Sequence, residues 1–265
     1  MPQLAIDKDG SLIPIDRGRA TTDFETAVYI PDAHLPHIRE PIFERLLQFL
    51  KDFQPHKIFI LGDWLDFYNL SSFDQDPDLH GQLQKELNLG HYYIEQIRKV
   101  CPKSEGVFLE GNHEDRLRRW LWRHPDIASL MDLNISSLLG LKELDFDSIE
   151  YGDYYDYNGF LVKHGDLVRV HSGYTAKGEL DKMGSSGISG HTHRLGSHYK
   201  TDNLGTRVWF EGGCICEMEL PWAKNNNWQH GFSVSYHEQN GNRFFVEQVP
   251  IIKDRFVAPN GSFYK

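Results

Sequence analysis

An α/β fold is the prediction of this chain, and it rests on three features of the first 120 residues. Short apolar β-type runs end abruptly in polar turns. Stretches of helical periodicity separate those runs. The unit of run, turn and helix recurs three times, which is the signature of helices layered on a sheet.

The first run is Thr26-Ala27-Val28-Tyr29-Ile30, stopped by Pro31 and followed at once by Asp32-Ala33-His34. Ile42, Phe43, Leu46, Leu47 and Leu50 then recur at helical spacing over 41–53, with Pro41 in the first turn, where its missing N–H is least felt. Lys57-Ile58-Phe59-Ile60-Leu61 is a buried-type strand running into Gly62-Asp63-Trp64-Leu65-Asp66. A polar loop over 69–81 (Ser71, Ser72, Asp74, Asp76, Pro77, Asp78) precedes a helix from Gln82 to Val100. Gly106 to Leu109 is the third strand. It delivers Glu110-Gly111-Asn112-His113-Glu114-Asp115 to a helix over Arg116–Trp122. The Asn-His pair therefore falls on a strand-to-helix turn, where open α/β sheets place their ligands.

The Leu-rich stretch with Ser and Asp over 125–147 predicts one or two short helices, part of a helical insert near 125–158. Phe160–Lys163 is the next strand, ending in His164-Gly165-Asp166, and a helix lies near Thr175–Met183. Ser186–Ser189 leads into Gly190-His191-Thr192-His193-Arg194. Beyond these, Thr206–Glu211, Phe232–His237 and Arg243–Val249 read as strands, with Asn240-Gly241 a hairpin turn. The division predicted is a polar arm over 1–25 and a single domain over 26–265.

The 265 residues carry 28 basic and 38 acidic side chains, a formal charge of −10. A general electrostatic grip on nucleic acid is not expected from that balance, although a local basic patch is compatible with it. Cys101, Cys214 and Cys216 are too few for a disulfide framework and suit a reducing compartment. Cys214-x-Cys216 has no second pair to complete a zinc site and reads as two small strand residues. No signal peptide and no apolar run long enough for a membrane is visible, so a cytoplasmic protein is expected, in the host cytoplasm if a phage encodes it.

Five strand ends thus present Asp32 and His34, Asp63 and Asp66, Asn112 and His113, His164, and His191 and His193. Residues i and i+2 of a strand share a face, so Asp-x-His and His-x-His can each aim two ligands in one direction. Two Asp, one Asn and four His form a mixed oxygen and imidazole set suited to Mn²⁺, Fe²⁺, Zn²⁺ or Ni²⁺. Seven donors exceed what one ion takes and fit two ions sharing a carboxylate, the usual clamp for in-line displacement at phosphorus.

In order along the chain these blocks read D-x-H, G-D-x-x-D, G-N-H-E, H and G-H-x-H. This pattern resembles the calcineurin-like metallophosphoesterase superfamily over about two-thirds of the sequence, from Asp32 to His193. The resemblance implies a four-layer α/β/β/α sandwich of two mixed β-sheets flanked by helices. It implies a first metal on Asp32, His34, Asp63 and His193, and a second on Asp63, Asn112, His164 and His191, with two Mn²⁺ ions the expected cofactors. It gives His113 the role of protonating the leaving oxygen, oriented by Asp66. The activity implied is phosphoester hydrolysis by a hydroxide drawn from water held between the metals.

Two departures narrow the branch. Phe67 and Glu110 stand where the serine/threonine protein phosphatases carry arginine, and Asp66 leaves no tyrosine ligand of the purple acid phosphatase kind. What remains is the D-x-H branch of phosphodiesterases, nucleases and many bacterial and phage enzymes. The expected substrate is accordingly a phosphodiester of a nucleotide, DNA or RNA. A phosphomonoesterase on small metabolites or nucleotides is the alternative, and an inactive protein-binding scaffold ranks last because the whole ligand set is retained.

Several residues keep two readings. Arg116, Arg119 and Arg123 share a helical face with Trp120 and serve either as a solvated surface or as phosphate contacts, with Arg116 nearest the motif. Arg194 and His171 are further candidates for touching substrate, His171 being the more readily structural. Trp64 is either core or a stacking wall. Glu114 and Asp166 read as hydrogen-bond acceptors behind the ligands.

Overall fold

The computed structural model describes residues 24–72, 82–130, 132–220, 223–239 and 241–265, together with the backbone of two short strands, β1 (Leu4–Ile6) and β2 (Leu12–Pro14). The rest of the expected arm, the acidic part of the 69–81 loop with Asp74, Asp76 and Asp78, and Asn240 of the expected hairpin turn lie outside the described residues.

In chain order the domain runs β3 (Phe24–Ile30), α1 (Glu40–Phe53), β4 (Lys57–Ile60), α2 (Leu83–Val100), β5 (Glu105–Leu109), α3 (Asp115–Trp122), α4 (Pro125–Ala128) and α5 (Ile135–Leu138). It continues with β6 (Phe146–Ile149), β7 (Tyr155–Tyr157), β8 (Phe160–Lys163), α6 (Tyr174–Met183), β9 (Ser186–Ser189), β10 (Leu195–Asp202) and β11 (Gly205–Gly212). It closes with β12 (Gly231–Glu238), β13 (Phe244–Pro250), β14 (Phe256–Val257) and β15 (Phe263–Tyr264).

One sheet has the order β13-β12-β3-β4-β5-β6, with β3 through β6 parallel and β12 and β13 antiparallel. The second has the order β10-β11-β9-β8-β7, with β11, β9 and β8 parallel and both edges antiparallel. Period-two alternation sorts their side chains into layers. Val28, Ile30, Ile58, Ile60 and Phe108 point to one side and pack with Ile42, Phe43, Leu46, Phe49 and Leu50 of α1 and Ile94 and Ile97 of α2. Ala27, Tyr29, Phe59, Val107 and Leu109 point to the other and meet Phe160, Val162, Ile188, Val208 and Phe210 of the second sheet. On the far face of that sheet Leu161 and Trp209 pack with Ala176 and Leu180 of α6. Helix, sheet, sheet and helix are thus the four expected layers. Burial of each large apolar side chain contributes roughly 1.5–3 kcal/mol to holding them together.

The helices begin and end where local chemistry dictates. Pro41 opens α1, and Gln54 closes it in the left-handed region at φ 49°, its N–H bonded to the Leu50 carbonyl at 2.9 Å. Trp64 is fully buried and donates its indole N–H to the Gly90 carbonyl of α2 at 3.1 Å, so it belongs to the core. The stretch 125–158, expected as a helical insert, is helical among its described residues only in the four-residue α4 and α5. Residues 146–149 and 155–157 are instead the sheet-edge strands β6 and β7. Edge strands bury one flank at most, so their apolar pattern is faint in sequence. β10 escaped the sequence reading for the same reason, being largely exposed along its length.

Candidate metal centre

The parallel strands β3, β4 and β5 of one sheet and β8 and β9 of the other end at a common rim. Asp32 and His34 follow β3, Asp63 and Asp66 follow β4, Asn112 and His113 follow β5, His164 follows β8, and His191 and His193 follow β9. The expectation that Asp-x-His converges through strand pleating is not how the structure does it. Asp32 (φ 30°), His34 (φ 47°), Asp63 (φ 46°), His191 (φ 70°) and His193 (φ 56°) all lie in the left-handed region, past the last strand residue. Turns, not pleats, aim these side chains. Each such residue holds strain of about 1–3 kcal/mol, which Asp and His bear better than β-branched residues do. Two glycines make the close approach feasible. A Cβ on Gly111 would collide with the Asp63 carboxylate and amide, and one on Gly190 would sit 2.5 Å from Asp32 Oδ2.

The donors fall into overlapping groups. Asp32, His34, Asp63 and His193 form one, all with ligand atoms within 4.8 Å of each other, and Asp63, His164 and His191 form another. His34 Nε2 and His193 Nε2 are 2.9 Å apart, His193 Nε2 is 3.4 Å from Asp32 Oδ1, and His34 Nε2 is 3.6 Å from Asp63 Oδ2. On the other side His164 Nε2 lies 3.4 Å from Asp63 Oδ1 and 3.1 Å from Asn112 Oδ1. Metal–ligand bonds of about 2.0–2.2 Å set neighbouring donors roughly 2.8–3.6 Å apart, so these spacings fit coordination of divalent ions. His193 Nδ1 and Asp66 Oδ2 are buried with no hydrogen-bond partner among the described residues, which also fits a site completed by a bound group.

Surrounding atoms fix the rings. His164 Nδ1 donates to the Leu61 carbonyl at 2.7 Å and His34 Nδ1 to Asp66 Oδ1 at 3.1 Å, leaving each Nε2 lone pair turned inward. Both Asp32 oxygens accept the His191 backbone N–H, at 3.0 and 3.1 Å. Burial pushes the imidazoles of His34 and His191 down to about 4 and that of His193 to about 3, so all three are neutral near pH 7, the form that ligates metal. Burial also lifts Asp32 to about 6. His164 differs: burial opposes its charge, but Asp63 and Asp32 raise it to about 9.

His113 stands beside this cluster, its ring edge-on to His34 with centroids 4.5 Å apart. Its Nδ1 meets the Asp66 carbonyl at 2.7 Å and Asp66 Oδ1 at 3.1 Å. Burial works against the imidazolium, yet Asp63 and Asp66 outweigh it, and the His113 pKa is raised. Arg116 pushes the other way, with one guanidinium nitrogen 3.0 Å from His113 Nε2 and another donating to the Asp66 carbonyl at 2.8 Å. Asp66 therefore serves two histidines, where the sequence suggested one.

Glu114 holds the floor. It accepts N–H bonds from Asp63 (2.9 Å), Leu65 (2.8 Å) and Gly111 (2.7 Å), tying two ligand turns together. Asp166, in contrast, pairs with Lys163 and Lys182 at the rim. His171 is exposed, its ring against Tyr174 at 5.1 Å, and is not in the donor groups. Arg194 is not among the donors either; its guanidinium joins the carbonyls of Arg169 and Asn227.

Glu86 and Trp228 are not among the sequence candidates, and the cysteine pair, which reads from sequence as plain strand residues, comes close to the cluster. Glu86 reaches from α2 to the Phe67 N–H at 2.5 Å, the Trp228 ring lies edge-on to His193 at 4.2 Å, and Cys214 and Cys216 pack beside His193. The cysteines sit at isolated bridges after β11 and not in a strand as expected, because the chain there crosses between sheets.

No family profile matches the chain. The Gene 54 protein of Mycobacterium phage L5 is 28% identical over 247 residues, covering 86% of this chain and 94% of that protein. The Gene 54 protein of Mycobacterium phage D29 is 27% identical over 249 residues, with the same shares of 86% and 94%. Among solved structures, Vps29 of Chaetomium thermophilum is similar with a TM-score of 0.46 at 10% identity, covering 92% of this chain and 94% of that one. Yfce, a phosphoesterase from E. coli, has a TM-score of 0.38 at 16% identity, covering 84% and 98%.

Proposed function

We propose that this chain is a dinuclear-metal-dependent phosphoester hydrolase of the calcineurin-like metallophosphoesterase type, cleaving phosphodiesters of nucleotides or nucleic-acid strands. The observation that carries this reading is the convergence of two donor groups on the single carboxylate of Asp63. Asp32, His34 and His193 would join Asp63 in holding one divalent ion, and Asn112, His164 and His191 would join it in holding the other. Mn²⁺ suits this oxygen and imidazole set, as do Fe²⁺, Ni²⁺ and Zn²⁺. When bound, the pair would supply Lewis acidity toward phosphoryl oxygens and lower the pKa of water.

The protein's own contribution is a positioned acid. Burial opposes the His113 imidazolium while Asp63 and Asp66 favour it, and once Arg116 leaves Nε2 that nitrogen would be placed to carry a proton to a departing alkoxide. A leaving group as poor as a sugar hydroxyl needs that proton, so the site suits unactivated phosphoesters. Arg116, against both His113 and Asp66, is placed to meet a phosphoryl oxygen once it yields His113 Nε2.

The deciding experiment measures hydrolysis with added Mn²⁺, comparing bis-p-nitrophenyl phosphate with p-nitrophenyl phosphate, and then single- and double-stranded DNA and RNA. Diester preference with strand cleavage is expected. Monoester preference with strands intact would make the protein a phosphomonoesterase, and two bound metals without turnover would make it a scaffold.

A further inference from the structure

Arg116 and Arg119 of α3 and Arg123 at its C-terminal cap lie along one side and, with Ser71, Ser72 and Asn112, line an open groove of about 340 Å³. Asn112 is also part of the donor cluster, 3.1 Å from His164 Nε2, so the groove opens outward from the metal centre. A rise of 1.5 Å per residue spreads the three arginine positions over about 10 Å of helix.

The row keeps most of its positive charge. Arg116 contacts the Asp66 carbonyl and His113, neither of which neutralises it. Arg119 donates from Nε to Asp115 Oδ2 at 2.5 Å, but that carboxylate also binds Arg118, and the Arg119 side chain stays 61% exposed. The Arg123 side chain is exposed and has no hydrogen bond or ion pair among the described residues. No carboxylate lines the groove among the described residues. On a chain of net charge −10, a groove whose described lining holds three arginines and no carboxylate, beside the reacting centre, marks a specific anion track.

We propose that Arg119 and Arg123 bind the phosphates flanking the scissile one in a single nucleic-acid strand, so that the groove selects polymeric substrates. The proposal rests on the hydrolase reading for what happens at the metal end, and it adds the class of substrate. Guanidinium forks recognise phosphate oxygens without reading bases, so the grip is sequence-independent. A row about 10 Å long suits an extended backbone carrying phosphates at intervals, whereas a nucleoside triphosphate packs its charges at one end.

The test uses the full-length, metal-loaded protein and a fluorescein-labelled oligothymidylate with phosphorothioate links, which keep the charge and resist hydrolysis. Binding is followed by fluorescence anisotropy over a salt series. Arg119→Gln/Arg123→Gln should weaken binding about tenfold or more. It should also reduce the slope of log affinity against log salt by about 1.4, the value for two lost contacts to a single strand. Arg119→Lys/Arg123→Lys should recover most of the slope, and thermal midpoints show that the variants are folded. Unchanged affinity and slope in the glutamine variant would return the arginines to the solvent. Displacement of the strand by thymidine triphosphate at equal phosphate concentration would overturn the strand as occupant. Failure of the wild type to hydrolyse bis-p-nitrophenyl phosphate would sink the hydrolase reading alone, because strand binding is measured without turnover.

Discussion

His34 Nε2 and His193 Nε2 face each other at 2.9 Å in the buried floor of the site, from positions 159 residues apart in the chain. With both imidazoles neutral, two lone pairs and at most one bridging proton meet there, beside the carboxylates of Asp32 and Asp63. A divalent ion relieves that crowding. Adding Mn²⁺ to metal-free protein should therefore raise the thermal midpoint by several degrees in differential scanning calorimetry. No shift at saturating Mn²⁺ would refute a preformed centre.

Asp63 belongs to both donor groups, so its loss should be felt twice. Asp63→Asn is expected to leave fewer than one metal per chain after desalting, whereas His191→Ala should lose one ion and keep the other. Elemental analysis by plasma emission separates these outcomes, and equal losses in the two variants would deny Asp63 its bridging place.

His113 is held by Asp66 and lies outside the two donor groups that share Asp63. His113→Ala should keep wild-type metal content while turnover of a dinucleotide falls about 10²-fold or more. Burial opposes the His113 imidazolium, but its contact with Asp66, which does not depend on Asp63, favours it, so acid catalysis should be lost toward alkaline pH. The wild-type rate should thus fall on that alkaline side, and the variant should lose this limb. Metal loss in the variant would reassign the residue as a ligand.

Glu114 accepts three backbone N–H groups from the turns carrying Asp63 and Gly111. Glu114→Ala strands those buried donors at a cost of about 3 kcal/mol or more, lowering the thermal midpoint by roughly 6–12 °C. A midpoint within a degree or two of wild type would mean that water replaces the carboxylate freely.

Burial lifts the Glu86 carboxyl to about 8, with the charges of Asp66 and Glu114 adding to it. Below the ordinary carboxylate range both folded and unfolded chains are protonated there, and no penalty exists. As pH rises toward 8 the unfolded chain ionises first, so folded stability is lost across that window. Glu86→Gln should match wild type near pH 4 in urea melts and exceed it near pH 8, by on the order of 2–4 kcal/mol. Parallel pH profiles for the two proteins would contradict the buried-acid reading.

The sequence by itself determined the α/β class and the run-turn-helix units, and it named the Asp, Asn and His candidates at the strand ends, because each is written locally. A five-residue apolar run, a proline-opened helix and a Gly-Asn-His turn need no distant partner to be recognised. Tertiary structure decided what those donors face. Left-handed backbone at Asp32, His34, Asp63, His191 and His193 aims them inward, and no periodicity announces such angles. Packing of the two sheets brings His34 to His193 and Asp63 to His164, gives Asp66 two histidines, places Trp64 in the core, and leaves His171 at the surface. Those relations join residues far apart along the chain. Only the burial of both sheets against each other fixes them, because a local pattern records which side chain is present and not which one it will meet.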